Sequence, residues 1–582
     1  MPSIFSALSR KNRQSRRPVR TRTVEALEDR LVLAPISWAV DADGAWGNAA
    51  NWDLGRVPQA GDDVVIDRPG GPFVITHASG DDSVASMQCD ETFNLSGGSL
   101  DIAAVSTIRN LSLNATLSGA GQVTVSGTFD WTRGTISGTG AFTIPAGATM
   151  NISDRNPVSV KKLDGRLLNI AQGATLNMAA NIHAINGVVI NNSGTVDLQA
   201  GGQNNINVSS PPTNDLAVFN NLATGRVIVE AQSGWNVVFN NGGVVEVRSS
   251  FGIGHGQSGQ GGTSTGTFLV SAGADLNLAR AHALKPGSVV SGAGNVTHIG
   301  TNSTVVEGIY NIGGTTHLTH GGVFFHSPVD SVGAFLQIDG GFMDFGGNPL
   351  NIARVNLSGN LVSGPLTVSD TFNWTNGTIS GTGAITIPTG ATMNISGPSA
   401  KTLDGHSLMT GGTVNAQSVF SLRNGAAINN GGLFNLQSDV QLADLCGGFP
   451  TVFNNTGQVI KSGGTGGSSI QIPFHNSGTV EVRSGTLDLA AGYVQTAGSL
   501  TLNGGDVSVR GALDIVAGTL AGAGTISGDV LNAGRVSPGT AGAPTGILTV
   551  TRSYTQPARG YSTSKSAGEL PGASTIDWRS AA

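Results

Sequence analysis

Downstream of Ser37, apolar and polar residues alternate in short runs. Examples are TVDLQ from Thr195, TVEVRS from Thr479, TLDLA from Thr486 and SLTLN from Ser499. A period of two over four or five residues is the mark of a half-buried β-strand. Between these runs stand Asn/Gly, Gly-Gly and Ala-Gly pairs, which read as tight turns. No apolar run approaches the roughly 18 residues of a membrane-spanning helix. The predicted molecule is therefore all-β, made of many short strands.

The strands recur at two scales. TFDWTRGTISGTGAFTIPAGATMNIS at 128–153 returns as TFNWTNGTISGTGAITIPTGATMNIS at 371–396, 243 residues later. Leu163-Asp164-Gly165 returns as Leu403-Asp404-Gly405, Val218 to Asn221 as Val452 to Asn455, and Val245 to Arg248 as Val480 to Arg483. Two related units thus span about 108–300 and 354–530. Within each unit a finer pattern, apolar-Asn-x-Gly-x-apolar-x-apolar, recurs around Ile190, Phe219, Phe239, Ile428, Phe453, Phe474 and Leu531. Phe219 and Phe239 lie 20 residues apart, Phe453 and Phe474 lie 21.

Strands this short on a period of about 20 residues cannot bury an apolar face singly, but stacked in register they form a continuous core. A propeller would show a blade signature every ~40–50 residues, and none recurs. The expectation is a right-handed parallel β-helix, with inward Val, Ile and Leu and with asparagines at the turns. Such asparagines tolerate the left-handed conformation and ladder onto their neighbours.

Composition agrees. Glycine supplies 86 of 582 residues, about twice its usual ~7% share, and charged residues are 12% against a usual ~25%. The basic residues Arg10, Lys11, Arg13, Arg16, Arg17, Arg20, Arg22 and Arg30 crowd the first 34 positions against Glu25, Glu28 and Asp29. Removing those eight and three from the totals of 31 and 37 leaves 23 basic and 34 acidic residues, a net of −11. An acidic, sparsely charged body lacks the basic face that nucleic acid requires, and the basic head reads as a targeting segment. Cys89 and Cys446 are 357 residues apart. In a solenoid they would lie on the order of 80 Å apart, far beyond the ~7 Å of a disulfide. Each is expected to be a buried or solitary thiol.

Three stretches resemble known families. VEALEDRLVLA, residues 24–34, is similar to the LExRxLL-type N-terminal motif of exported planctomycete surface proteins. Leu27, Glu28, Arg30, Leu33 and Ala34 match it, and Val32 departs from it. SWAVDADGAWGNAANWDLGRVPQAGDDVVID, residues 37–67, resembles the opening module of bacterial repeat adhesins. The body, best at 485–556, resembles the autotransporter-associated β-strand repeat. These resemblances imply export, a secreted or cell-surface location, and a structural, adhesin-like or matrix role without catalytic residues. The expected partners are surface polysaccharide or other cell-surface proteins, with no nucleic acid, no membrane span and a monomeric rod.

Candidate chemistry is thin. Trp38, Trp46 and Trp52 read as packing inside an N-terminal β cap, and sugar stacking is the alternative. Asp41-Ala42-Asp43-Gly44 opens like a calcium loop, but position twelve is Trp52 where a glutamate is needed. His298, His317, His320 and His326 lie close in sequence and read as surface histidines, with His298 and His320 spaced by about one coil. Asp62-Asp63, Asp81-Asp82 and Asp90-Glu91 are adjacent pairs, which on a strand face opposite ways. Asp130 and Arg133 of the first unit become Asn373 and Asn376 in the second, as suits solvent-facing positions. No catalytic, cofactor-binding or metal-ligating residue is assigned and no cofactor is expected. The leading expectation is a non-enzymatic stalk or adhesin-like passenger, and the rival is a polysaccharide-binding or polysaccharide-cleaving β-helix.

The expected organisation is a targeting segment over 1–34, a Trp-rich cap and first coils over 35–107, and a first unit over 108–300. Connecting coils over 301–353 then lead to a second unit and last coils over 354–556. Beyond Gln556 the alternation stops, and 557–582 is expected to be an irregular tail. Back-translating it in a shifted frame restores a further strand pair, so a frameshift in the coding sequence is the expectation there.

Overall fold

The computed structural model describes residues 34–154, 160–201, 204–208, 216–254, 261–445, 448–539 and 546–556. It also gives the backbone of two later strands, Gly568–Leu570 and Ala573–Asp577. The targeting segment up to residue 33 and Cys446 lie outside the described residues.

The chain is a parallel β-solenoid. Each strand pairs in parallel with the strand usually three elements on, so a coil contributes one strand to each of three stacked sheets. The first sheet runs through Ile190, Phe219 and Phe239. The second runs through Phe129, Met150, Leu176 and Val196, and the third through Phe372, Met393 and Val414. Those residues point inward and are buried, while the residues between them face outward. The period-two pattern thus translates directly into one axial core, and neighbouring coils supply the apolar surface that a single coil lacks.

A buried asparagine, in most cases within an Asn-x-Gly signature, closes one corner of several coils in each unit. Asn192, Asn221 and Asn241 are buried one above another. Asn192 donates Nδ2–H to Asn221 Oδ1 at 2.8 Å, and Asn221 does the same to Asn241 at 2.8 Å. Asn192 and Asn241 also accept the backbone N–H two residues on, from Gly194 and Gly243, at 3.1 Å. A Cβ at either glycine would collide with a carbonyl of the coil below. The laddered asparagines are not the left-handed ones: positive φ falls on Asn186 and Asn424, each followed by a positive-φ glycine. Asn430, Asn455 and Asn476 repeat the buried ladder at 2.7 and 2.8 Å. Asn455→Ala removes the acceptor of Asn430 and a donor to Asn476 inside the core. It is expected to cost about 2 kcal/mol, read as faster hydrogen exchange at Ala427–Asn430 and Phe474–Asn476. The outward neighbour Asn454→Ala should stay within about 0.5 kcal/mol.

The corner residue Asn532 sets the register, so Val530 follows Leu513 into the core and Leu531 is 36% exposed. Leu531 therefore stands where His475 and Asn454 stand, on the outside.

The two homologous units are not in phase around the axis. Met150 lies in the second sheet, whose stack continues through Val227, Val245, Phe268, Val290 and Tyr310. Its counterpart Met393 lies one sheet over. Traced backwards, that stack passes Phe372, Val355, Leu336, Thr316, Val296 and Leu276. The buried asparagines move likewise: 192, 221 and 241 belong to the first sheet, 430, 455 and 476 to the second. The 243-residue offset is not a whole number of coils, so equivalent outward faces point in different directions.

At the N-terminal end the tryptophans form the cap. Trp38, Trp46 and Trp52 are all but fully buried, and Trp52 meets both others edge-on at 5.1 and 5.0 Å. Trp52 Nε1–H donates to the Trp46 carbonyl at 2.8 Å. At the other end, within the stretch expected to be an irregular tail, Ala573–Asp577 pairs antiparallel with Ile547–Val550 and with Gly568–Leu570.

Candidate functional site

The cap offers no aromatic face to a sugar, because all three indoles are covered. The calcium-like loop is tied up within the chain: Asp41 accepts from Arg68 Nε at 2.7 Å and Asp43 from the Val74 N–H at 2.8 Å. The carboxylate pairs diverge, as alternation requires. Asp62 takes Gln59 N–H at 2.7 Å and both guanidinium nitrogens of Arg56, and the side-chain bond to Arg56 holds it below the usual carboxylate range. Asp63 meets Ser86, Asp81 meets Ser99 and Asp82 meets His77, at 2.5, 2.6 and 2.9 Å. Glu91 is buried and accepts from the Phe73 N–H at 2.7 Å, while Asp90 is exposed. Cys89 is buried, and desolvation pushes its thiol up to about 12, which makes it an inert core residue.

The histidines separate. His298 faces inward, fully surrounded, in register with Leu278 below and Leu318 above, which corrects the expectation of a surface position. His298 does not stack on His320, which follows the strand and is exposed. His317 faces outward and pairs with Asp339 at 2.6 Å, and His326 is exposed. Among the described residues no group of three or more His, Cys, Asp or Glu is placed to hold a metal.

A charged cluster that the sequence analysis did not single out sits on the second sheet of the first unit. Arg226 and Arg248 both bind Glu246, and Arg248 also binds Glu230 at 2.6 Å. Glu246 is pushed up by burial, but the two arginines win and hold it low. Asp197 on the coil below is raised, first by desolvation and then by Glu230. The network was hidden because its cross-coil ion pairs join residues 18 and 20 apart in sequence, with Asp197 on a third coil.

The most regular polar surface is the outward face of the third sheet in the second unit. Asn373 donates to Asn356 at 2.9 Å, Asn394 to Asn373 at 2.8 Å, Asn415 to Asn394 at 3.0 Å, and Gln437 to Asn415 at 2.9 Å. Two residues before each of three of these asparagines, Thr371, Thr392 and Thr413 form a parallel column in the same register. Near one end the ladder lines a hollow of about 380 Å³ with Asp339, Ser358, Thr375 and Ser396. Further along the same sheet lies a hollow of about 620 Å³ lined by Gln458, Thr479, Glu481, Thr501, Asn503 and Ser537. The equivalent ladder of the first unit, Asp130, Asn151 and Asn177, occupies the second sheet and ends at Asp197 and the charged network.

These surfaces define a β-solenoid whose outside is chiefly Ser, Thr and Asn, an architecture compatible with a structural or adhesive rod and with carbohydrate-active proteins. Compared with known protein-family models and with curated proteins, the chain matches none.

Proposed function

We propose that the protein is an exported, non-enzymatic surface or extracellular solenoid that serves as a stalk or adhesin-like passenger. The observation that carries this reading is the third-sheet face of the second unit, where three successive rungs, Thr371/Asn373, Thr392/Asn394 and Thr413/Asn415, form a polar Asn and Thr ladder. The buried Trp cap supports it too, since a solenoid end needs cover against edge-to-edge pairing. The secreted or cell-surface location rests on the LExRxLL-type motif at 27–34 and on the likeness to planctomycete and autotransporter-associated repeats. No helix among the described residues is long and apolar enough to cross a membrane.

A second reading, polysaccharide cleavage, draws on Asp197, a half-buried carboxyl with a raised pKa near Glu230. Glycoside hydrolysis uses such a pair, one acid kept protonated and one ionised. Two measurements separate the readings. Small-angle scattering should show a rod on the order of 100 Å long, from ~21 residues per coil at ~4.8 Å per coil. A polysaccharide panel should show no release of reducing ends or unsaturated sugar. Turnover that disappears in Asp197→Asn would replace the first reading with the second.

A further inference from the structure

We infer that the outward face of the third sheet along the Asn373–Asn415 ladder is a binding strip for a neutral, extended β-linked polysaccharide chain lying parallel to the solenoid axis. The inference deepens the stalk reading and relies on it only for the rod.

An asparagine amide has two N–H donors and a carbonyl oxygen with two lone pairs. In Asn373 and Asn394 one N–H goes to the rung below and one lone pair receives the rung above. One donor and one acceptor per rung are left on the solvent side, locked in orientation by the ladder itself. The adjoining threonine adds a hydroxyl to the same rung. A strip that presents a fixed donor, a fixed acceptor and a hydroxyl at every step suits a polyol, in which each unit offers hydroxyls of both roles.

Coils repeat at about 4.8 Å along the axis, close to the advance of one sugar in an extended β-linked chain. Over the few rungs of this strip, successive sugars therefore stay near successive rungs. Each contact is weak, because no exposed aromatic stacks on the ligand, and affinity arises from many rungs acting together.

Charge selects this strip over its counterpart. In the first unit the matching ladder begins at Asp130 and runs into Asp197, Arg226 and Glu246. In the second unit those rungs are Asn373, Asn394, Asn415 and Asn435, all uncharged, and the charges Arg354 and Asp339 lie beyond them at one end. The one-sheet rotation between the units keeps the charged strip and the neutral strip on different faces. A neutral polymer is thus the occupant that the strip fits, and an anionic one gains nothing there.

The test uses the full chain, with co-sedimentation on microcrystalline cellulose and affinity electrophoresis in soluble neutral β-glucan and in polygalacturonate. The expected result is retention by a neutral β-glucan that is unchanged between low and high salt, with no retention by polygalacturonate. Thr392→Arg combined with Asn394→Arg should weaken retention at least tenfold. Thr143→Arg, outward on the first sheet, should not change it. Circular dichroism and scattering on each variant confirm that the rod persists. Failure of the wild-type chain to bind any neutral β-glucan, or undiminished binding by the double variant, overturns the inference. So does a preference for polygalacturonate. A rod that scatters as expected and does not bind sinks this inference while leaving the stalk reading in place.

Discussion

Acidification from pH 6.5 to pH 4 is expected to destabilise the middle of the solenoid by several kcal/mol, beginning before the carboxylates titrate. His282 and His298 are both fully buried. Desolvation is the leading cause of their low pKa values, about 4 for His282 and about 3 for His298. Both remain neutral in the folded chain down to those values, while in the unfolded chain they take up protons near 6.5. The sign follows from linkage: the unfolded state binds more protons throughout this window, so stability is complete above pH 6.5 and falls as pH drops. The ion-paired carboxylates Asp62, Glu246, Asp404 and Glu481 are held below their ordinary values. Their contribution begins to fall below about pH 5, as the carboxylates of the unfolded chain take up protons, so the histidines act alone between about pH 6.5 and 5.

The two histidines should respond differently to substitution. His282 is satisfied, with one ring nitrogen 2.8 Å from Ser264 Oγ and the other 2.9 Å from the Gly261 carbonyl. Among the described residues His298 has no hydrogen-bond partner on either ring nitrogen. A buried polar group without a partner costs about 1–3 kcal/mol. His298→Leu would also complete an inward column of Leu278, Leu318 and Ile338. It should therefore stabilise the chain at pH 7 and flatten its loss between pH 6.5 and 4. His282→Leu should flatten the acid response too, but orphan Ser264 and the Gly261 carbonyl and lower stability at pH 7. Urea unfolding of the three proteins at pH 4.5, 5.5 and 7 decides the matter. An unchanged pH slope in His298→Leu would remove the basis of this account.

The inward place of His298 was legible, because Val296, Thr297 and His298 alternate and Val296 is apolar. Reading the four histidines as one cluster masked that pattern. Strand existence, the Asn-x-Gly corner and the burial of the Trp cap all follow from local sequence, since each depends on neighbours within a few residues. The outward place of Leu531 is ambiguous in the alternation until Asn532 is recognised as the corner. The Arg226–Glu246–Arg248 network and the third-sheet hollows depend on which residues stack across coils of unequal length. The one-sheet rotation of the second unit has the same origin: it accumulates over every coil between Met150 and Met393, and no local pattern carries it.

Trp46→Ala should open the N-terminal end without unfolding the rest. Trp46 lies against Trp52 at 5.0 Å, Phe93 at 5.6 Å and His77 at 5.9 Å, and so joins the cap to the first full coils. The strands it secures are only two residues each, Ile36–Ser37 and Gly44–Ala45. Removing a buried tryptophan costs roughly 3–5 kcal/mol, more than strands of that length can recover elsewhere. In a solenoid each coil contacts only its neighbours, so the loss stays at the end. Hydrogen exchange should lose protection at Trp38, Trp46 and Asp63–Ile66 and keep it at Thr392–Ile395. The strand edge left bare at Asp63–Ile66 and Val74–His77 then becomes a template for pairing with a second chain. Light scattering should accordingly show concentration-dependent association in Trp46→Ala. Trp235→Ala, which removes an equally buried indole from the middle of the stack, should lose local protection while staying monomeric, because no edge is exposed there. Retained protection at Asp63–Ile66 in Trp46→Ala would mean that the first coil is closed by something other than the tryptophan cluster.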